Sequence, residues 1–368
     1  MGEHWDTSLR ELALRALHAA QHDAPGLRPE ALFVGNMLAG ALSHQEHLGA
    51  LIADFAGMRG IEAVTVEAAG ASGGAALRQA VLAVASGQVS TALVVGVEKM
   101  TDRIGPGVTA AAATAADSDW EAAQGVTPTA LAALLMRRYM HEHQVALKDF
   151  AGFSLNAHAN AKTNPNAMFR SAITAEAYVK AGMVAEPVNM FDAAPEADGA
   201  AALLITSSPA KDHGCARVAA SAMATDTLAV HDRPDLLTFE AAQRSAEKAY
   251  RLAGVQASEV DVFELFDAFT VFAALSLEAA GFAERGRGWQ LAAGDIGLTG
   301  RIPISTFGGL KARGNPGGAT GVYQIAEVVL QLRGEAGPNQ VKDARWGMAQ
   351  SLGGAGATAV THIFERAG

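Results

Sequence analysis

The residues best suited to chemistry lie in a turn of small residues, EAAGASGGAAL, at positions 67–77. The turn follows a strand-like run at residues 63–66 and opens a helix-like run at residues 77–85. A turn between a strand and a helix exposes backbone N–H groups that stabilise an anion or an oxyanion and lower the pKa of a nucleophile. The alternative is that small residues only allow tight packing of the strand and the helix, and the turn alone leaves both interpretations open.

A second turn of the same kind lies in the other half of the chain. Residues 70–75, GASGGA, precede the first helix-like run, and residues 315–320, NPGGAT, precede an apolar helix predicted over residues 321–332. An internal repeat of this kind favours a duplicated fold.

Both turns resemble motifs of the thiolase superfamily, in particular its archaeal and sterol-carrier-protein-type branch. The first resembles the nucleophile turn, approximately VEAACASGGAALR in that branch, whose cysteine falls on Gly70. The second belongs to residues 305–321, STFGGLKARGNPGGATG, which closely resemble the motif GGLKARGHPxGATG. The family's histidine, which activates the thiol and lines an oxyanion hole, falls on Asn315. In the thiolase fold the helices after these turns are equivalent, and both N-termini point into one active site.

Two further motifs complete the resemblance. ELFDAF at residues 264–269 resembles the HDAF box, with Phe266 at the histidine that helps to hold the oxyanion water. QSLGGAG at residues 350–356 resembles the last motif, with Ser351 at the acid/base cysteine of degradative and biosynthetic thiolases. The resemblance implies that the N–H groups of Gly353 and Gly70 pair in an oxyanion hole. It also implies that the turns are kept while the diagnostic side chains are replaced.

The replaced residues change the chemistry that the resemblance implies. Glycine cannot form an acyl-enzyme, and Phe266 cannot donate a hydrogen bond. The Asn315 amide can donate to an oxyanion but cannot take a proton near neutral pH. Ser72 is expected to cap the following helix, with a substitute nucleophile as the alternative role. Asp267 is expected to be structural, with a general base as the alternative.

Three functions follow from the resemblance. The favoured one is carbon–carbon cleavage of a CoA thioester by a retro-aldol-like reaction, which needs an enolate and a base but no acyl-enzyme. Thiolase-like aldolases of steroid side-chain breakdown use tyrosines as bases; Tyr323 is the tyrosine near a motif here, and a packed helix residue is its alternative role. The other functions are a non-catalytic acyl-CoA-binding or partner subunit of a thiolase complex, and an acetyl-CoA acyltransferase with a substitute nucleophile.

A coenzyme A thioester is the ligand that the resemblance implies, with no covalently bound cofactor. The candidate contacts come from the best-matched motif and from the loop domain, and they are Gly308, Lys311 and Arg313, then His158, Lys162 and Arg170. Support of the loop is the alternative role of Lys311 and Arg313. The resemblance also implies a homodimer paired through the strand at residues 63–66, and a small zinc-ribbon/OB-fold partner protein.

The resemblance covers nearly the whole chain and implies an α/β thiolase fold. Two duplicated mixed-sheet halves form a five-layered α-β-α-β-α arrangement with an inserted loop domain. Residues 1–104 with 189–210 are expected to form the N-terminal half, residues 105–188 the loop domain over the acyl-CoA site, and residues 211–368 the C-terminal half. Thiolases usually place a strand before the first helix, and Met1 lies too close to that helix to supply it. Either the sequence is truncated or this strand is missing.

Local patterns predict the individual elements. Ser8 and Glu11 have the spacing of a capping box and predict a helix through about residue 20. The continuous apolar run at residues 91–100 predicts a parallel strand covered on both faces. A further helix is predicted over residues 130–140, and further strands over residues 31–35, 198–205, 218–224, 260–266, 302–306, 347–351 and 357–364.

Composition excludes several classes of function. The chain has 28 basic and 38 acidic residues, and its net charge of −10 argues against nonspecific binding to nucleic acid or anionic membranes. No apolar run approaches the roughly 20 residues of a membrane span, and no signal-peptide pattern is found, which indicates a cytoplasmic protein. The single cysteine, Cys215, is predicted to be buried where a strand begins. His44 and His47 are expected on a helix near the dimer interface, with a metal pair as the alternative.

Overall fold

The computed structural model describes residues 1–208 and 214–367. The helices in these ranges are α1 (Leu9–Asp23), α2 (Leu48–Phe55), α3 (Ser72–Ala85), α4 (Gly105–Ala113), α5 (Pro128–His143), α6 (Ala151–Ala161), α7 (Ala175–Lys180), α8 (Glu240–Ala253), α9 (Thr270–Ala279) and α10 (Thr320–Arg333). The strands are β1 (Ala31–Gly35), β2 (Glu62–Val66), β3 (Thr91–Glu98), β4 (Met183–Ala185), β5 (Val188–Asn189), β6 (Gly199–Thr206), β7 (Ala216–Thr225), β8 (Val262–Glu264), β9 (Trp346–Gly353) and β10 (Thr358–Arg366). The expected boundary between the two halves, at residues 210 and 211, lies outside the described residues.

The first sheet has the strand order β2-β1-β3-β6. β1 is parallel to both β2 and β3, and β6 is antiparallel to β3. Every residue of β1 and β3 is buried, as their continuous apolar sequences predict for strands covered on both faces. β2 lies at the sheet edge, where Val64 is 48% exposed.

The second sheet repeats this arrangement in the order β7-β10-β9-β8. β8 and β9 are parallel, and β10 is antiparallel to both β9 and β7. In each half a long helix leads into a strand with one parallel and one antiparallel neighbour. Helix α3 leads into β3, between β1 and β6, and helix α10 leads into β9, between β8 and β10. This repetition is the duplication that the two glycine-rich turns predict.

Helices α3 and α10 pack against each other between the two sheets. Their close approach requires glycine, because a Cβ at Gly321 would lie 2.3 Å from the Gly74 nitrogen. A Cβ at Gly73 would lie 2.8 Å from the Val322 nitrogen. Helices α1 and α2 pack on the first sheet and α8 packs on the second, which gives the expected five-layered α-β-α-β-α arrangement. The turns that precede α3 and α10 are in contact, so both helices begin at the same place.

The region between β3 and β6 carries helices α4 to α7 and the short hairpin of β4 and β5, which ends at Asn189, one residue beyond the expected loop domain of residues 105–188. Helix α5 packs on α9, and α6 packs on the turn Gly309–Arg313. These contacts place the inserted region against the loops that follow the strands of the second half.

The N-terminal residues follow the predicted capping pattern. Ser8 and Glu11 form the capping box, and α1 extends to Asp23. In the described part of the chain no strand precedes α1, and Gly2 makes a single antiparallel bridge to Asp198 at the start of β6. None of the helices in the described ranges has the length and apolar character needed to cross a membrane.

The strand predicted over residues 302–306 is wrong. One bridge joins Ile304 to Phe263, and the segment otherwise follows an irregular path. The strand predicted over residues 260–266 is correspondingly shorter. Only β8 (Val262–Glu264) forms, and β9 is its regular partner in the sheet. The Ile304 carbonyl oxygen instead accepts a hydrogen bond from Asn156 Nδ2 at 3.1 Å.

Predictions for three polar or reactive residues are also wrong. His44 and His47 are not on a helix, since their φ angles are 52° and 61° and they lie between a short π-helical turn and α2. Within residues 1–208 and 214–367 no three His, Cys, Asp or Glu side chains are grouped as a metal site. Cys215 is half-buried rather than buried, because it lies one residue before β7 begins.

Candidate active site

Gly70 lies in a short 3-10 turn, Ala69–Ala71, that leads directly into α3. The Ser72 hydroxyl donates a hydrogen bond to the Ala69 carbonyl oxygen at 2.6 Å and accepts one from the Ala68 N–H at 2.9 Å. The prediction that Ser72 caps the helix is therefore wrong. Ala71 is the N-cap residue, and the fully buried Ser72 side chain holds the preceding turn closed.

The space beside Gly70 is already filled. A Cβ built at this residue would lie 2.6 Å from the Leu352 carbonyl oxygen and 2.8 Å from Cζ of Phe266. Real Cβ atoms essentially never approach other atoms within 3.0 Å, so a side chain here requires its neighbours to move. The turn therefore presents backbone atoms at the N-terminal end of α3, where helix N–H groups have no intrahelical acceptor.

Asn315 occupies the corresponding position before α10. The Thr320 hydroxyl donates to Asn315 Oδ1 at 3.2 Å, which leaves Nδ2 as the donor end of the amide. Two backbone hydrogen bonds fix the residue. The Asn315 N–H donates to the Pro195 carbonyl oxygen at 2.9 Å, and the Ala197 N–H donates to the Asn315 carbonyl oxygen at 3.1 Å. The amide is thus held in one orientation by its own turn and by the segment that enters β6.

The buried carboxylate of Glu98 connects these turns to the first sheet. It accepts hydrogen bonds from Asn36 Nδ2 and from the N–H groups of Met37, Leu38 and Gly318, at distances from 2.8 to 3.1 Å. Burial raises the pKa of Glu98 to about 7, and the N–H donors act in the opposite direction. With this many partners Glu98 positions the loops of the site and has no lone pair directed at a ligand.

Phe266 and Asp267 follow β8 and have different roles. Phe266 is buried and its ring lies beside Gly70. Asp267 accepts hydrogen bonds from the Leu310 N–H at 2.7 Å and from the Ser305 hydroxyl at 3.0 Å. Burial raises the pKa of Asp267. Because both carboxylate oxygens hold the loop of residues 305–310, Asp267 has the expected structural role.

Gly70, Phe266 and Asn315 line one cavity of about 160 Å³. Its walls are mostly apolar and include side chains from α4, α5 and α9. The polar side chains in the lining are Thr109, Thr129, Glu196 and Asn315. The structure therefore brings the three positions identified by the resemblance to one small, largely apolar chamber.

A second cavity, of about 590 Å³, adjoins the first, since Ala193 and Ala194 line both. Its lining carries three basic side chains, His158, Arg170 and Lys311. The two cavities are thus neighbours, one with basic side chains in its lining and one with a largely apolar lining.

Burial lowers the pKa of two of these basic groups, Lys311 and His158. Lys311 Nζ donates to the Asp192 carbonyl oxygen at 2.6 Å, and burial lowers the pKa of Lys311 to about 8, which leaves it charged at neutral pH. His158 Nδ1 donates to the Ser171 carbonyl oxygen at 3.2 Å, and its ring stacks on Phe169. Burial also lowers the pKa of His158, so its ring is neutral at pH 7.

The remaining predicted site residues lie elsewhere. Ser351 is buried between β9 and α10, where its hydroxyl donates to Gln324 Oε1 at 2.8 Å. Arg313 is buried in an ion pair with Glu327 and is not accessible to a ligand. Lys162 is exposed just after α6 and does not line either cavity.

Three other residues lie in close packing, and the roles that the resemblance implies for Gly308 and Gly353 remain predictions. Gly308 has a φ of 108°, and a Cβ there would lie 2.6 Å from that of Ala161. Gly353 adjoins the Gly70 turn, since a Cβ there would lie 2.5 Å from the Ala68 carbonyl oxygen. The Tyr323 hydroxyl donates to the Ala200 carbonyl oxygen at 2.8 Å, which is the packed helix role.

Glu196 is the cavity residue that sequence reasoning missed. It lies between the DAAP and DGAAA segments, and no motif points to it. Its position depends on the parallel bridge between Glu196 and Asn315, which brings residues from distant parts of the chain side by side. The one sequence signal is an acidic residue directly after Pro195, where the chain returns to the first sheet.

Comparison with known proteins identifies the family. Residues 1–209 match the model of the thiolase N-terminal domain, and residues 222–366 match the model described as thiolase C-terminal domain-like. The chain therefore belongs to the thiolase family. Among its relatives is the acetyl-CoA acetyltransferase of Methanothermobacter thermautotrophicus, which is 44% identical over 99% of this chain and 96% of the relative.

Two further similarities extend the comparison. The benzoylsuccinyl-CoA thiolase subunit BbsB of Thauera aromatica is 32% identical over 95% of this chain and 90% of the relative. A solved structure described as the Ltp2-ChsH2(DUF35) aldolase superposes with a TM-score of 0.84 and 24% identity, covering 99% of this chain and 94% of that one. The last similarity establishes the shared fold.

Proposed function

We propose that this chain binds an acyl-CoA thioester and cleaves a carbon–carbon bond through the thioester enolate, in a retro-aldol-like reaction without an acyl-enzyme. The observation that carries the proposal is that Gly70, at the position the resemblance assigns to the nucleophile, has no side chain and no room for one. The Asn315 amide lines the same cavity as a fixed hydrogen-bond donor. Donors without a nucleophile suit stabilisation of an enolate oxygen.

Two kinds of donor support the enolate step. In the turn at Gly70 the Ala71 and Ser72 N–H groups donate to backbone carbonyl oxygens of the same turn, whereas no hydrogen bond engages the Gly70 N–H within residues 1–208 and 214–367. The Gly70 N–H is therefore the backbone donor, and Asn315 directs its Nδ2 away from Thr320 as the second donor. Phe266 and the other apolar walls lower the polarity of this chamber, and hydrogen bonds to a developing anion are stronger in such surroundings.

The basic cavity suits the coenzyme A part of the ligand. The exposed Arg170 carries a positive charge that matches phosphate groups. The buried Lys311, whose Nζ donates to the Asp192 carbonyl oxygen, adds positive potential from the cavity wall, and His158 with Phe169 forms an aromatic wall. Since Ala193 and Ala194 line both cavities, we propose that a thioester places its CoA part in the basic one and its acyl part in the apolar one.

The apolar cavity limits the size of the cleaved group. Its volume of about 160 Å³ is close to that of an engineered apolar cavity of about 150 Å³ that binds benzene. We therefore propose acyl groups whose β-substituent is apolar and no larger than about a six-membered ring. The name of the Thauera aromatica relative refers to an aromatic thioester, which supports a ring-sized substrate.

The test is incubation with a panel of β-hydroxyacyl-CoA and β-ketoacyl-CoA thioesters that carry methyl, cyclohexyl or phenyl β-substituents, followed by mass spectrometry of the thioesters. The expected result is conversion of β-hydroxyacyl-CoA to a shorter acyl-CoA and an aldehyde or ketone. Thiolysis of the β-ketoacyl-CoA by free CoA, with a covalent acyl adduct on the protein, would establish an acyltransferase instead. Ser72 is a poor nucleophile for that alternative, because it is buried and hydrogen-bonded on both sides.

A non-catalytic binding subunit is the second candidate. It is favoured by the name of the Thauera aromatica relative, which is a thiolase subunit, and by the solved aldolase, whose name joins Ltp2 to a DUF35 protein. Binding of the panel without any conversion, by the chain alone and with a small zinc-ribbon/OB-fold partner protein, would support this function. Conversion by the chain alone would exclude it.

A further inference from the structure

We infer that Glu196 is the general base of the reaction and that it returns the same proton to the enolate carbon. This inference rests on the proposed function, because it names the proton acceptor that a retro-aldol step needs. It concerns a residue that none of the four thiolase-like motifs includes.

Glu196 is the one side chain lining the apolar cavity, within the described residues, that can take or give a proton near neutral pH. The other polar side chains in the lining are two threonines and Asn315, and the remaining lining residues are apolar or glycine. A reaction that moves a proton inside this cavity must therefore use Glu196, the adjoining basic cavity or water.

The backbone places Glu196 beside the proposed oxyanion donor. The two residues pair in a parallel bridge, and the hydrogen bonds that flank it join Pro195 and Ala197 to Asn315 at 2.9 and 3.1 Å. Residues that pair in register project their side chains to the same face, and both of these side chains line the same cavity. A base and an oxyanion donor are thus held together by one short piece of pairing.

The carboxyl group of Glu196 is available for proton transfer. Within residues 1–208 and 214–367, no hydrogen bond or ion pair engages its oxygens, whereas Glu98 and Asp267 are held by several donors. Although Glu196 is exposed at the cavity mouth, partial burial alone raises the pKa of its carboxyl, with no charged neighbour contributing. A raised pKa makes a carboxylate a stronger base.

The step balances without a further reactant. The Glu196 carboxylate takes the proton from the β-hydroxyl group of the thioester. The Cα–Cβ bond breaks, Cβ becomes the carbonyl carbon of the released aldehyde or ketone, and the electron pair of the bond passes to Cα and the thioester oxygen. Asn315 Nδ2 and the Gly70 N–H stabilise that oxygen. The protonated Glu196 then gives its proton to Cα, which yields the shorter acyl-CoA and restores the carboxylate.

The transfer of the proton from Glu196 to Cα can also run in reverse, and this reverse step provides a test that needs no cleavable substrate. A base that protonates Cα also removes a Cα proton from the product, so incubation of acetyl-CoA or propionyl-CoA with the protein in D₂O introduces deuterium at Cα. The variants are Glu196→Gln, the conservative Glu196→Asp, and Glu284→Gln as a matched control, since Glu284 is 85% exposed on the surface. Exchange and β-hydroxyacyl-CoA cleavage are both followed by mass spectrometry, and binding of the thioester by calorimetry.

We expect Glu196→Gln to slow both exchange and cleavage by about 10²–10⁴-fold with thioester binding retained, as for loss of a general base. Glu196→Asp should recover part of the rate, and Glu284→Gln should match the unmodified protein. The rate of exchange by the unmodified protein should rise with pH as Glu196 ionises, and this rise should be absent in Glu196→Gln.

The outcomes separate the two proposals. Equal exchange by the unmodified protein and Glu196→Gln overturns the role of Glu196 and leaves the proposed function standing. Exchange that depends on Glu196, but without cleavage of any β-hydroxyacyl-CoA, supports the base and overturns the retro-aldol reaction. The absence of exchange in the unmodified protein, with the thioester bound, overturns Glu196 as the base.

Discussion

A thiol introduced at Gly70, the position that the resemblance assigns to the nucleophile, tests whether the absence of a side chain is the only obstacle to thiolase chemistry. In Gly70→Cys the new Cβ would lie 2.6 Å from the Leu352 carbonyl oxygen, which is about 0.8 Å short of the 3.4 Å of ordinary contact. The Phe266 ring, at 2.8 Å, can rotate, but the backbone carbonyl cannot move alone. We expect Gly70→Cys to lower the free energy of unfolding by about 1–3 kcal/mol, as overpacking commonly does.

The same variant should remain inactive in thiolysis. The thiol would lie at a helix N-terminus, which lowers its pKa, but Asn315 cannot accept its proton. Since a general base is commonly worth about 10²–10⁴-fold, the absence of one is enough to hide activity. Adding Asn315→His supplies the base. Adding Phe266→His supplies a donor and replaces the phenyl ring, whose Cζ lies 2.8 Å from the Cβ position, with a smaller ring. The triple variant should exceed the sum of the single variants, because such groups act as a unit.

The assay is thiolysis of acetoacetyl-CoA, followed by loss of its enolate absorbance, with urea unfolding for stability. Gly182→Cys is the matched control, because a Cβ at Gly182 meets no atom within 4 Å. It adds a thiol without the predicted loss of stability. Turnover by Gly70→Cys alone at the rate of the triple variant would refute the roles given to Asn315 and Phe266, and unchanged stability would refute the packing argument.

Three further predictions follow from the same contacts. Lys311→Met should weaken binding of free CoA, measured by calorimetry. In the unmodified protein the affinity for CoA should fall between pH 7 and 9, because Lys311 has a pKa of about 8 and loses its charge in this range. The affinity of Lys311→Met should not show this fall. Arg313→Met leaves a buried carboxylate unpaired and should cost about 3–5 kcal/mol in urea unfolding, whereas a surface role for Arg313 would give almost no change. We propose a homodimer paired through the exposed edge strand β2, so Val64→Lys should yield monomers in light scattering at micromolar concentration. The control is Val179→Lys in α7, which changes a residue of similar exposure and should leave the dimer intact. A monomeric unmodified protein would contradict the pairing.

The architecture could be predicted because its signals are local and repeated. The two glycine-rich turns, at residues 70–75 and 315–320, predict the helices that meet at the centre of the molecule. The continuous apolar run at residues 91–100 predicts the buried strand β3. Close packing also explains why the glycines in these turns are required, since neighbouring backbones occupy the Cβ positions.

The direction of individual side chains could not be predicted in the same way. Ser72, Ser351 and Arg313 lie within or beside the matched motifs, yet each faces into the packing around α3 and α10. In a structure with five layers, the side chain of a residue near a motif can face either a neighbouring layer or the cavity. The linear sequence does not distinguish these two directions. Glu196 was missed for the opposite reason, because only its pairing with Asn315 brings it to the site.

The central claim is that the chain processes an acyl-CoA thioester without carrying the acyl group on a side chain. The most direct measurement is mass spectrometry of the intact protein during turnover of a β-hydroxyacyl-CoA with a ring-sized β-substituent, with quenching at several times. We predict an unchanged protein mass while a shorter acyl-CoA and a carbonyl compound accumulate. A protein species that is heavier by one acyl group and disappears when free CoA is added would contradict the claim.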